Sequence, residues 1–114
     1  MFREVVRMPE AEIATLRAQP AWPARVAAAP TIVRELRAIT RVAFDPAWAA
    51  RITVPTLLLT GSDSRDPFAA DVGTVAAALP DARVVVIDGQ QHVADILDPV
   101  RFAGHLVGFL GGRR

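Results

Sequence analysis

The chain has no cysteine among its 114 residues. Disulfides, thiolate metal sites and a cysteine nucleophile are excluded together. Lysine and tyrosine are also missing, so all 13 basic side chains are arginine. Almost nothing then titrates between the amino terminus and arginine, and the charge curve is nearly flat there. A pI of about 9.0 therefore carries little weight beside a formal net charge of +1. The arginines are scattered from Arg3 to Arg114 with acids between them. A nucleic-acid footprint needs them clustered on one face, so nucleic acid is not an expected partner. Arg113-Arg114 reads as a solvated tail.

Other signals are missing as well. No run approaches the roughly 20 apolar residues of a membrane span. Met1-Phe2-Arg3-Glu4 offers no apolar core of a signal peptide, so a cytoplasmic location is expected. There is no GxGxxG and no GxxxxGK[ST], hence no phosphate loop. There is no HExxH, no Asp-rich calcium loop, and His92 and His105 are far apart. Neither a cofactor nor a metal is expected.

What is present is apolar: 52% of residues are hydrophobic and 22% charged. That is too apolar for a disordered chain, and the length holds one domain at most. Residues 1–51 read as short helices rich in Ala, Arg and Pro. Pro9 suits a first helical position, with Ile13 and Leu16 at helical spacing. Pro20 and Pro23 interrupt the chain around Trp22. A second patch, Ala24 to Ala29, is expected to stop at Pro30, and a third to run from Thr31 with Val33, Leu36 and Ile39 on one edge. Asp45-Pro46 then opens a short turn ending near Ala50.

Residues 52–114 change rhythm. Thr56 to Thr60 is an apolar run between Pro55 and Gly61, and Arg83 to Ile87 is another. Such runs suit strands of a parallel sheet, covered on both faces. Between them Phe68, Val72, Val75, Ala76 and Leu79 form one stripe of an amphipathic helix. Asp98-Pro99 opens a last helix with Phe102, Leu106, Phe109 and Leu110 on its face, closed by Gly111-Gly112. The expected class is therefore α/β, strand–helix–strand–helix behind a helical segment. Two parallel strands leave open edges and faces, so the pattern is that of the last part of a larger sheet.

Functional groups of open α/β sheets gather beyond the carboxyl ends of strands. His92 lies in such a loop, Asp88 to His92, and can serve as a general base or simply hydrogen-bond backbone. His105 lies inside the last helix and reads as packing or surface. The loop after the first strand, Gly61-Ser62-Asp63-Ser64-Arg65-Asp66-Pro67, carries two carboxylates. A carboxylate there could orient the histidine. Asp66 before Pro67 is also an N-cap, and Asp63 could close an Asx-turn.

The ordered set Val54-Pro55-Thr56-Leu57-Leu58-Leu59-Thr60-Gly61, then Leu79-Pro80-Asp81-Ala82-Arg83-Val84, then Gly89-Gln90-Gln91-His92, then Phe109-Leu110 resembles the C-terminal segment of the α/β-hydrolase superfamily. The resemblance covers about Val54 to Leu110. The first half, with Pro20-Ala21-Trp22-Pro23, resembles the helical cap inserted before this region in many such hydrolases. The resemblance implies a serine-type hydrolase of ester-like substrates, with His92 matching the catalytic histidine. Two departures stand out. No serine stands in a G-x-S-x-G, so the nucleophile and the oxyanion-hole segment are expected to lie before Met1. Many members place the acid three residues after the strand-ending glycine, which here is Ser64. Asp63 is one residue early and Asp66 two residues late. Asp63 is preferred as the acid because capping already explains Asp66; in some members the acid follows the preceding strand. Trp22, Trp48 and Ile39 could line an acyl pocket or pack together. The expected behaviour is that of a truncated form, inactive alone, acting on an ester-like substrate when completed. The alternative is a non-catalytic chain that associates through its open sheet edge.

Overall fold

The structure, a computed structural model, describes residues 2–4, 6–64 and 68–112. The chain divides into two compact units, Met1–Phe44 and Asp45–Arg114.

The first unit holds helices α1 (Glu10–Arg17) and α2 (Trp22–Ile39). Its buried side chains are Val6 and Met8, ahead of α1, and Ile13 and Leu16 on one face of α1. Met8 N–H donates to the Phe2 carbonyl at 2.9 Å, which folds the lead-in back on itself. Trp22 sets its ring 6.2 Å from that of Phe2, and the Arg17 guanidinium lies 5.8 Å from the Trp22 ring centre. Arg3 pairs with Glu10 through both carboxylate oxygens.

The structure corrects the reading of Pro30. The helix does not stop there: α2 runs through it from Trp22 to Ile39. Pro30 removes one amide donor, so the Val26 carbonyl four residues back loses its helical partner. Val26 is 54% exposed, so water can take that bond. Pro23 occupies the first turn, where an amide proton has no helical acceptor anyway. None of the side chains of α2 is fully buried.

The second unit opens with the short α3 (Pro46–Ala49), where Asp45 accepts from Ala47 N–H at 2.9 Å as its N-cap. Strands β1 (Thr56–Gly61) and β2 (Ala82–Ile87) follow on either side of α4 (Phe68–Ala78). They pair in parallel, Thr56 against Ala82 through Gly61 against Ile87. A parallel pair needs a crossover, and α4 supplies it. Val72, Val75, Ala76 and Leu79 are all half-buried, as the helical stripe predicts. β1 is half-covered along its length. β2 is covered at Val85 and Ile87 but open at Val84 and Val86, which are 43% and 57% exposed. Strand side chains alternate, so this is one open side of β2.

A four-residue helix α5 (Ala94–Leu97), absent from the sequence reading, follows the loop after β2. Helix α6 (Pro99–Gly111) starts where Asp98-Pro99 predicts, with Asp98 accepting from Arg101 N–H at 3.2 Å. Its half-buried stripe is Phe102, His105 and Phe109. Leu106 and Leu110, expected on that face, are 39% and 67% exposed instead.

Candidate active site

The two loops at the carboxyl ends of β1 and β2 are tied to each other. Ser62 N–H donates to the Ile87 carbonyl at 3.0 Å, and Asp63 N–H to the Gln90 carbonyl at 3.0 Å. Gly61 is what lets them approach. A Cβ at that position would lie 1.9 Å from the Gln90 carbonyl oxygen, well inside contact distance. The second loop turns on Gly89, whose φ of +69° is a conformation that glycine adopts freely. Arg101, on α6, donates to the Asp88 carbonyl at 2.8 Å and anchors the same loop from the other end.

His92 sits two residues beyond Gln90 and is exposed. It borders a cavity of about 400 Å³ together with Gln91, Ser64, Asp71 and Asp95. Leu59, Ile87 and Phe102 give that cavity its apolar wall. A neutral imidazole there can accept a proton from a hydroxyl and return it to a leaving group. The apolar wall suits the hydrocarbon part of a small substrate.

The sequence-predicted residues are placed as follows. His92 is at the cavity. Asp63 is exposed, and its carboxylate accepts from the Ser62 hydroxyl at 3.0 Å. It is not among the residues bordering the cavity, whereas Ser64 is. Asp66 lies outside the described residues. His105 is half-buried on α6. Trp22 packs with Phe2 and Arg17 within the first unit. Trp48 is 61% exposed on α3, and Ile39 borders an open apolar groove with Val42 and Phe44.

Asp71 and Asp95 are the cavity carboxylates that sequence reasoning missed. Asp95 stands three residues after His92, inside the short α5 that follows the histidine's turn. Asp71 falls in the first turn of α4, where an acid also suits the helix dipole. Among the described residues no group of His, Asp or Glu could hold a metal ion. No described helix is long and apolar enough to cross a membrane.

No protein-family model matches the chain, and no curated protein matches it. Among solved structures it is similar to the crystal structure of an alpha/beta hydrolase from Sphaerobacter thermophilus. The identity is 28% and the TM-score 0.69, over 95% of this chain and 41% of that one. The chain is thus related to the α/β hydrolases, and spans less than half the length of the one it matches. Its parallel strand pair and helices are part of that fold.

Proposed function

We propose that this chain supplies the histidine-bearing part of a serine-type α/β hydrolase acting on an ester-like bond. The observation that carries the reading is His92 at the carboxyl end of β2, on an apolar-walled cavity, in a chain of α/β-hydrolase likeness. In this reading a serine hydroxyl from a nucleophile-bearing part gives its proton to His92 as it attacks the ester carbonyl. His92 then protonates the departing alcohol, and repeats both transfers with water. A carboxylate of the loop after β1 supplies the negative charge that favours the imidazolium; Asp66 is then the candidate acid, because Asp63 accepts from the Ser62 hydroxyl and is not among the residues bordering the His92 cavity. Residues 1–51 act as the helical cap. The reaction needs no cofactor and takes place in the cytoplasm.

Neither Ser62 nor Ser64 stands in a G-x-S-x-G, so the chain alone is expected to hydrolyse no simple ester. The test is to translate the DNA upstream of Met1, express the joined protein and assay p-nitrophenyl acetate. A G-x-S-x-G between a strand and a helix is expected there. His92→Ala in that protein should lower kcat by about 10⁴-fold or more. Activity retained by that variant sinks the assignment, as does clean labelling of the 114-residue chain by a serine-directed probe.

One observation favours a second reading. The open side of β2 at Val84 and Val86 is the kind of surface a non-catalytic chain would bury against a partner. Size-exclusion chromatography decides: a compact monomer removes this alternative.

A further inference from the structure

We infer that Ser62 is a positioning residue for His92, and that Asp63 acts through Ser62 rather than on the imidazole. The inference deepens the hydrolase reading and rests on it only for what the positioned histidine would do.

The Ser62 hydroxyl sits between two partners from different loops. It accepts from Gly89 N–H at 2.8 Å and donates to the Asp63 carboxylate at 3.0 Å. An ionised carboxylate can only accept, so it draws the hydroxyl proton toward itself. That leaves an oxygen lone pair facing the Gly89 amide. The direction of the chain, amide to hydroxyl to carboxylate, is therefore set by the charge on Asp63. A hydrogen bond to a charged acceptor is also stronger than a neutral one.

The place of this bond matters more than its strength. Gly89 is the left-handed residue on which the second loop turns. The backbone bonds from Ser62 to Ile87 and from Asp63 to Gln90 fix the loop on either side of it. Without the hydroxyl, the turn is held at 87 and 90 but free to rock at 89. His92 lies three residues beyond Gly89 in the same loop, and its ring would take up the part of that rocking that passes through Gln90 and Gln91. This gives Asp63 a role that fits its placement: exposed, bound to Ser62 and away from the border of the His92 cavity.

The test uses the 114-residue chain itself, uniformly ¹⁵N-labelled. Amide exchange at Gly89 and the ring resonances of His92 are followed, with His105 as the internal reference. Ser62→Ala is expected to speed Gly89 exchange about five- to tenfold, the loss of one hydrogen bond, and to move or broaden the His92 ring signals while sparing His105. Ser62→Thr, which keeps the hydroxyl, should restore both. Asp63→Asn should give about a two- to threefold faster exchange at Gly89, because a neutral amide orients the hydroxyl less firmly. Four results overturn the inference: an unprotected Gly89 amide in the unsubstituted chain, unchanged exchange in Ser62→Ala, faster exchange with unmoved His92 signals, or no recovery in Ser62→Thr. No turnover is read, so a failure here leaves the hydrolase reading standing, and an inactive joined enzyme leaves this inference standing.

Discussion

The two units use similar apolar residues in different ways. In the first, the buried side chains are gathered at one place: Val6, Met8, Ile13 and Leu16, with Leu16 fully enclosed. The long helix α2 adds no buried side chain, and Val26, Val33 and Ile39 on it are more than half exposed. In the second, much of the order comes from backbone. A parallel ladder joins β1 to β2, and amide–carbonyl bonds carry the pairing on into both following loops. Side-chain burial is non-directional and grows with area, so it holds elements together without fixing one atom against another. Backbone pairing is directional, so it can hold a loop in one place. The unit that carries His92 is the one built on the directional interaction.

That contrast can be broken in three ways, from the largest expected effect down. Leu16→Ala removes a fully enclosed side chain from the buried cluster described in the first unit. It should cost about 3 kcal/mol, read as a lower urea midpoint for the signal of Trp22, which neighbours α1. A loss under about 1 kcal/mol, less than a core truncation of this kind normally costs, would show that the cluster does not hold that unit.

Gly61→Ala adds one methyl group where the Gln90 carbonyl already stands. Backbone must shift to admit it, at about 2–3 kcal/mol, the usual range for overpacking. Loss of amide protection at Asp63 and Gln90 would report it. Gly73→Ala is the control. That glycine lies in α4 and, among the described residues and apart from the helix's own backbone, no atom comes within 4 Å of a new Cβ, so alanine should stabilise by about 0.5–1 kcal/mol through helix propensity. Equal tolerance at the two positions would refute a close approach of the loops.

The smallest effect concerns Arg3 and Glu10. The hydrogen bond from Arg3, with its charge, holds the Glu10 carboxyl below its ordinary value of 4.5. A carboxyl lowered in the folded state adds stability that is present above the ordinary value. That stability is lost as pH falls through the folded value, so the window lies below about pH 4.5. Both side chains are more than half exposed, so salt screens the pair. Titration of Glu10 by NMR should show the low value, and Arg3→Ala or 1 M salt should bring it back toward 4.5. An unchanged titration in Arg3→Ala would remove the pair from the account of the first unit.

Much of the fold was legible because its signals are local. Asp45-Pro46 and Asp98-Pro99 mark helix starts through the capping carboxylate and the missing amide, and both helices start there. The runs at 56–60 and 83–87 are strands because β-branched and leucine side chains crowd an extended backbone without turn residues. Pro30 misled because the rule behind it assumes that the freed carbonyl has no other partner. On an exposed helix it has water. α5 was not legible, since four residues carry too little periodicity to be read.

The site divides along the same line. The place of His92 was legible because a histidine after a parallel-strand run is a matter of order along the chain. Its surroundings were not. Asp71 and Asp95 border its cavity because α4 and α5 return to it, a closure of the chain that no spacing states. Asp63 binds Ser62, and Ser62 reaches Gly89 across 27 residues of sequence. Sequence by itself determined the two strands, the helix between them, the capped helix starts and the place of the histidine after the second strand, because capping, turn chemistry and apolar patterning act within a few residues. Only the tertiary structure decided which groups meet at the ends of the strands. That depends on register and on the approach of two loops at Gly61, where the absence of one carbon atom sets the distance.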